Sequence, residues 1–287
     1  MNISVKEPRY SIKIKSSPII ILGMHRSGTT LVSEILSSMG VFFGKVKSHY
    51  ESPFFKDINK WILKKTHAEW DMPVNIWKLL CEQQDLKKAF IYQLKRKTFS
   101  PSFLLRFANL KSISNFISNP NFIWAWKDPR TTFTWPLWNS VFQSAKYIFV
   151  YRNGVDVANS LKTRERNRNN PIFGKTMSIR CSDIKRAYEL WEEYNTLFFQ
   201  LKNSFPNLPL LEISYENLVR NPEKEIMKIS SFSGVSPNTK EINLICNKID
   251  SSKLFQFLKK PELVNLFETI RERPLMKQFG YDQINLK

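Results

Sequence analysis

The feature that most constrains the fold of this chain is a short apolar run followed directly by a glycine-containing loop. Residues 18–23 read Pro-Ile-Ile-Ile-Leu-Gly, the pattern of a strand buried on both faces of a parallel sheet. After the loop, Leu31, Ile35 and Met39 recur at helical spacing, and Gly40 provides a stop. Strand, loop and helix in this order predict an anion-binding turn, because backbone N–H groups converge at the helix N-terminus.

The loop itself has the GxxxxG spacing of a P-loop, with one informative difference. Thr29 stands where ATP- and GTP-binding loops have lysine. The positive charge lies inside the loop instead, at Arg26. This argues against an ordinary nucleoside triphosphatase. The predicted anion-binding residues are His25, Arg26, Ser27, Gly28, Thr29 and Thr30.

The rest of the chain alternates between strand and helix patterns. Further strands are predicted at 41–43, 122–126, 147–151 and 208–213, and helices at 132–144 and 180–204. Residues 53–118 predict a helical insert, and residues 236–287 a helical C-terminal region. The pattern indicates one α/β domain over 1–287: a central, mostly parallel sheet flanked by helices, P-loop-like, with a helical insert.

A second motif, Arg-Asn-Gly-Val-Asp-Val-Ala-Asn-Ser, follows the predicted strand 147–151. Arg152 at the carboxyl end of the strand and Ser160 in the next helix are predicted to bind one phosphate together. Asp156 between them is interpreted as a helix-start carboxylate. Two anion sites in one sheet can hold both ends of a nucleotide that carries a 3'-phosphate.

These segments resemble the sulfotransferases that use 3'-phosphoadenosine 5'-phosphosulfate (PAPS). The loop GMHRSGTT is similar to the family's 5'-phosphosulfate loop, and YRNGVDVANS to its 3'-phosphate motif. WKDPR, SYENL and ESPFFKDINKWIL are similar to further family segments, so the resemblance covers about residues 18–235. It implies PAPS as donor without a metal ion, and contact of Tyr215 with the 3'-phosphate, for which core packing is the alternative role.

Two departures from the family's motifs indicate which branch of the family the chain resembles. Phenol- and steroid-type enzymes carry lysine at the position of Arg26 and tryptophan at that of Leu31. The 3'-phosphate motif of the family usually has proline where Gly154 stands. The resemblance therefore points to the bacterial and Golgi-like branch.

The resemblance also implies catalytic roles. Arg26 would stabilise the transferring sulfonate, and Lys127, at the end of a predicted strand, would assist the leaving group or the sulfonate. An alternative for Lys127 is a pair with the adjacent Asp128. The candidate base is Glu51, with His49 and Asp57 as rivals, and burial is expected to raise the pKa of that carboxyl towards neutrality.

Composition limits the setting of this chemistry. The chain has 287 residues and a net charge of +19, which favours anionic partners, an anionic membrane surface among them. Cys81, Cys181 and Cys246 are isolated, which favours a reducing cytoplasm over a disulfide framework. No run approaches the roughly 20 apolar residues that span a bilayer, and the N-terminus lacks a signal-peptide pattern.

The acceptor is not specified by these motifs. A carbohydrate hydroxyl, for example on a surface-polysaccharide precursor, is the favoured acceptor. A P-loop-type nucleotide kinase and a non-catalytic polyanion-binding protein are the competing interpretations. No nucleic-acid-binding module is recognisable, and the oligomeric state stays open. Trp124, Trp126, Trp135 and Trp138 are interpreted as core residues rather than a sugar platform.

Overall fold

The protein is built around one parallel sheet. The computed structural model describes residue 12 and residues 14–108, 110–168 and 178–286. Within these residues, four strands pair in the order β2-β1-β3-β4, all parallel. They are β1 (Ile19–Leu22), β2 (Ala125–Lys127), β3 (Lys146–Tyr151) and β4 (Leu210–Ser214). The predicted α/β class and parallel sheet are confirmed.

Helices cover both faces of this sheet. Between β1 and β2 lie α1 (Thr29–Ser38), α2 (Pro53–Lys65), α3 (Val74–Glu82), α4 (Gln84–Thr98), α5 (Pro101–Phe107) and α6 (Leu110–Ser118). Between β2 and β4 lie α7 (Thr131–Val141), α8 (Gly154–Arg168), α9 (Ile179–Ser182) and α10 (Ile184–Asn203). After β4 come α11 (Tyr215–Arg220), α12 (Pro222–Ser233), α13 (Thr239–Cys246), α14 (Pro261–Ile270) and α15 (Pro274–Gln278). That 53–118 is an insert within a single domain stays a prediction.

The two faces of the sheet bury different kinds of side chain. Ile20 and Leu22 of β1 enter a cluster rich in aromatic rings, whereas Ile19 and Ile21 enter a mainly aliphatic one. This alternation follows from the period of two along a strand. The four tryptophans at 124, 126, 135 and 138 are fully buried in the aromatic cluster, which confirms them as core residues.

Two local predictions differ from the structure. Residues 41–43 form a single bridge, Phe42 to Trp124, rather than a strand. Gly40 and Gly44, with φ of 88° and 67°, turn the chain on either side of the segment and leave it too short for a ladder. The predicted helix 180–204 is divided into α9 and α10, because the side chain of Asp183 caps the backbone N–H of Arg186 and starts a new helix.

The expectations about a membrane-spanning run and about a signal peptide concern different parts of the chain. No described helix combines the length and apolar character needed to cross a bilayer. The amino-terminal residues 1–11, where the sequence shows no signal-peptide pattern, lie outside the described residues.

Candidate active site

The first loop begins with Gly23, directly after β1 and against the backbone of β3. Gly23 has a φ of 134°, and a Cβ there would lie 2.3 Å from the carbonyl oxygen of Val150. The hydroxyl of Thr132 accepts the N–H of Gly23 at 2.9 Å and donates to its carbonyl at 3.2 Å. Glycine and these two bonds fix the direction in which the loop leaves the sheet.

The loop then coils so that its backbone opens into a cavity. Arg26 and Gly28 have φ of 72° and 98°, and Gly28 precedes the first turn of α1. Gly28, Thr29 and Thr30 line the cavity at the N-terminus of this helix. The first N–H groups of a helix have no partner within it, and its dipole favours negative charge there. The predicted anion-binding loop is therefore geometrically suited to a phosphate or sulfonate.

The side chain of Arg26 crosses to the second motif. Its Nε donates to Oγ of Ser160 in α8 at 2.8 Å, and no other described residue accepts a hydrogen bond from its guanidinium. The structure thus joins Ser160 to Arg26, whereas the sequence suggested a joint grip of Ser160 and Arg152 on one phosphate. The side chain of Arg26 is exposed at the cavity, so its outer N–H groups are available to an anion.

Arg152 lies at the carboxyl end of β3 and is buried, only 9% exposed. Its guanidinium donates to the carbonyl of Lys253 at 2.7 Å and to the carboxylate of Asp156 at 3.2 Å. It lies 4.4 Å from the ring centroid of Tyr215. Its Nε is buried and has no partner among the described residues. A buried donor without a partner is rare, so this Nε–H retains hydrogen-bonding capacity that no described residue uses.

Tyr215 connects the two motifs physically. A Cβ on Gly28 would lie 2.5 Å from the Tyr215 ring, so the glycine lets that ring pack directly on the first loop. The Arg152 guanidinium also lies over this ring. Asp156 pairs with Arg152, and its carboxylate accepts the backbone N–H groups of Gln256 and Phe257. This confirms a helix-start position for Asp156 and adds a contact that the sequence did not predict.

Gly154 is explained by the packing behind this motif. A Cβ on Gly154 would lie 2.8 Å from both the Trp191 and the Tyr188 ring. The indole N–H of Trp191 donates to the carbonyl of Arg152 at 3.0 Å. The two rings of α10 therefore occupy the space of a side chain at 154 and hold the loop in place.

Glu51 sits between two ammonium groups. Its carboxylate lies 3.4 Å from Nζ of Lys127 and 2.9 Å from Nζ of Lys56. Burial alone would raise the pKa of Glu51, but the charges of Lys127 and Lys56 and the Lys56 hydrogen bond together lower it. The expected rise of this pKa towards neutrality is therefore wrong, and the Glu51 carboxylate is ionised at neutral pH.

Lys127 is almost completely enclosed at the end of β2. It is 2% exposed, and burial lowers its pKa although Glu51 and Asp128 raise it. Asp128 pairs with Arg130 at 2.8 Å and accepts a hydrogen bond from Asn59 at 3.0 Å. The ion-pair partner of Lys127 is Glu51. The alternative pairing of Lys127 with Asp128 is thus not the observed one.

The rival bases lie in different places. His49 lines the cavity, in a turn where both it and Tyr50 have positive φ, 61° and 57°. Asp57 points away and pairs with Arg106 at 2.6 Å on an exposed surface. His25 lines the cavity, but burial and then the charge of Arg130 lower its pKa well below the ordinary value, so it is neutral. Of the candidate bases, Glu51 is the one that combines an ionised oxygen with a place in the cavity beside Lys127.

The cavity that joins these groups has a volume of about 500 Å³ and is strongly basic. Its described lining includes eight Lys or Arg side chains against three Asp or Glu, an excess of five positive charges. The sequence motifs did not predict several of these lining residues: Lys56, Arg164, Lys248, Asp250 and Lys253. The described residues contain no group of three or more His, Cys, Asp or Glu side chains placed to hold a metal ion.

The comparisons with known proteins agree with this geometry. The model of the sulfotransferase family matches residues 18–239, more than half of the chain, and the chain belongs to that family. A putative protein-tyrosine sulfotransferase of Caenorhabditis briggsae is 23% identical over 181 residues, 56% of this chain. The chain spans 61% of the length of that relative.

Solved structures show the same fold. The sulfotransferase domain of the Synechococcus PCC 7002 olefin synthase matches with a TM-score of 0.52 and 19% identity, covering 97% of this chain and 99% of that domain. The sulfotransferase domain of the curacin biosynthetic pathway matches with a TM-score of 0.50 and 17% identity, covering 83% of this chain and 80% of the domain. At these identities the likeness concerns the fold alone.

Proposed function

We propose that the protein is a PAPS-dependent sulfotransferase that transfers a sulfuryl group to a hydroxyl of a carbohydrate, such as a surface-polysaccharide precursor. The observation that carries the proposal is that one basic cavity is lined by residues of both predicted anion sites and by the Glu51–Lys127 pair. Arg26 and the α1 N-terminus would hold the phosphosulfate, and Arg152 with Tyr215 the 3'-phosphate. This arrangement suits a donor with charge at both ends of the nucleoside.

The reaction follows from the positions of these groups. The acceptor oxygen forms a bond to sulfur while the bond from sulfur to the bridging oxygen breaks, and the bond's electron pair stays on the 5'-phosphate. The acceptor proton moves to the Glu51 carboxylate. Arg26 and Lys127 would stabilise negative charge on the sulfonate and the bridging oxygen, as positioned cations do in phosphoryl transfer. The products are adenosine 3',5'-bisphosphate and a sulfate ester.

The charge of the cavity supports transfer without a metal ion. The excess of five positive charges in the cavity lining can neutralise the phosphates and the sulfonate, the task that a divalent cation performs in a nucleotide kinase. Activity in the presence of a chelator is therefore expected. We also propose a cytoplasmic setting, supported by the free thiols of Cys81, Cys181 and Cys246.

The test is transfer of label from sulfur-labelled PAPS to a panel of polysaccharides, with chelator present. Label in the polymer, lost in Glu51→Gln, supports the proposal. Magnesium-dependent hydrolysis of ATP, without label transfer, would favour the nucleotide kinase. Binding of many polyanions with steep salt dependence, and no turnover, would favour the non-catalytic alternative.

A further inference from the structure

A second cavity lies directly beside the proposed donor cavity. It has a volume of about 510 Å³ and is formed by the C-terminal half of α2 and the turn that follows it. Arg130 lines both cavities. Trp70 lines the second cavity, and its ring contacts the His25 ring of the first loop edge-on, with 4.9 Å between centroids. A molecule bound in the second cavity would therefore adjoin the sulfonate end of the donor site.

The wall of this second cavity is preformed. The Tyr194 hydroxyl donates to the carbonyl of Trp70 at 2.7 Å, and Arg180 donates to that of Asp71 at 3.0 Å. The side chain of Asn75 donates to the carbonyl of His67 at 2.7 Å. Side chains from α3, α9 and α10 thus fix the turn against the body of the protein, so binding costs little ordering of the wall.

The lining combines an apolar floor with three cationic side chains and one carboxylate, an excess of two positive charges: Lys60, Lys64 and Arg130 against Glu69. Leu63, Trp70 and Met72 supply apolar surface, and Met72 is 60% exposed. Lys60 and Lys64 are exposed one helical turn apart, and neither forms an ion pair with a described residue. Two lysines at this spacing repel each other, and an anionic ligand would relieve that repulsion. An aromatic ring beside ammonium groups suits a sugar ring that carries a carboxylate.

The backbone of the turn argues against an extended peptide as the ligand. The carbonyls of His67, Trp70 and Asp71 already accept side-chain hydrogen bonds. Glu69 and Met72 pair their N–H and carbonyl groups with each other. Recognition of a peptide strand relies on free backbone groups at an edge, and this turn has most of its own engaged.

We propose that this second cavity binds the acceptor, and that the acceptor is an acidic glycan whose uronic-acid carboxylates contact Lys60 and Lys64. This inference rests on the proposed sulfotransferase function and specifies its substrate class. The acceptor hydroxyl would reach the sulfonate past Arg130, and the bonds formed and broken are those of the proposed reaction.

The experiment compares three acceptors with sulfur-labelled PAPS. They are a uronic-acid polysaccharide, the same polymer after chemical reduction of its carboxyl groups, and an acidic tyrosine-containing peptide. The wild-type protein is expected to label the first at least roughly tenfold faster than the second, with a difference that shrinks as salt is added. Equal labelling of the reduced polymer, preference for the peptide, or labelling of none would each overturn the inference.

The variant Lys60→Glu with Lys64→Glu tests the site itself. Its KM for the uronic-acid polymer should rise roughly tenfold, because two attractions become repulsions. Its affinity for adenosine 3',5'-bisphosphate should stay unchanged. The matched control is Lys224→Glu with Lys240→Glu, the same charge change at exposed positions outside the two cavities. An unchanged KM, or an equal rise in the control, would overturn the site.

Titration with the bisphosphate distinguishes a failure of the acceptor assignment from a failure of the proposed function. Retained binding of adenosine 3',5'-bisphosphate, with no preference for the acidic polymer, removes the acceptor assignment and leaves the donor site standing. Absent bisphosphate binding in the wild-type protein removes the proposed function, and the acceptor assignment falls with it.

Discussion

Replacing Lys127 by methionine should move the acidic limb of the pH–activity profile to higher pH. The pKa of Glu51 reflects a competition in which burial raises it and two lysines lower it. Nζ of Lys127 lies 3.4 Å from the Glu51 carboxylate, and the two side chains are only 2% and 13% exposed. Without the Lys127 charge, less positive charge opposes the effect of burial, so the pKa of Glu51 should rise.

The size of this pKa rise depends on how little solvent reaches the Lys127–Glu51 ion pair. An opposite charge at such a distance typically lowers a carboxyl pKa by about 1–3 units. The Lys127 charge is the largest of the effects that lower the Glu51 pKa, ahead of the hydrogen bond and the charge of Lys56. Lys56 is closer, at 2.9 Å, but 36% exposed, so water screens its charge, and Lys56→Met should raise the Glu51 pKa by less than Lys127→Met does.

The assay is kcat/KM for label transfer as a function of pH, measured for the wild-type protein and both variants. A base acts when ionised, so activity falls as pH falls through its pKa. The midpoint of the acidic limb should be lowest in the wild-type protein, slightly higher in Lys56→Met and highest in Lys127→Met. The height of the profile also falls in Lys127→Met, but the midpoint is the test. A midpoint in Lys127→Met at or below the wild-type value would refute the reasoning.

Three further changes test the site. Glu51→Gln should reduce turnover by about 10²–10⁴-fold while the bisphosphate affinity stays unchanged, measured by label transfer and calorimetry; retained turnover would remove Glu51 as the base. Gly28→Ala forces a side chain into the Tyr215 ring at a φ of 98°, so thermal unfolding should show a loss of about 1–3 kcal/mol, and nucleotide binding should weaken. Asp156→Asn places an amide NH₂ either against the Phe257 N–H or against the Gln256 N–H and Arg152, and should cost about 1–3 kcal/mol in urea unfolding; an unchanged midpoint would contradict the anchoring role.

The parts of the site that the sequence predicted are local in the chain. The first loop reads as strand, turn and helix within a few residues, and Arg152 follows an apolar strand directly. Because the carboxyl ends of parallel strands meet at one edge of the sheet, the two loops could be expected to face one crevice. The structure brings both into one cavity, and Tyr215 packs between them.

The parts that the sequence did not predict depend on distant contacts. Lys127 meets Glu51 from 76 positions away, and this contact reverses the direction of the expected pKa shift. Asp156 holds the backbone at 256 and 257 across about 100 positions, which brings the basic segment around Lys253 to the cavity. No local pattern marks Lys253, because its carbonyl contact with Arg152 exists only in the folded chain.

The most direct test of the central claim is calorimetric titration with adenosine 3',5'-bisphosphate, beside 5'-AMP and ATP. Comparison of the wild-type protein with Arg152→Ala assigns the 3'-phosphate site, and Arg186→Ala on the exposed side of α10 serves as the control. The proposal predicts that the bisphosphate binds most tightly, and that its advantage over 5'-AMP disappears in Arg152→Ala but not in the control. Binding of ATP in preference to the bisphosphate, or an advantage of the bisphosphate that survives in Arg152→Ala, would contradict it.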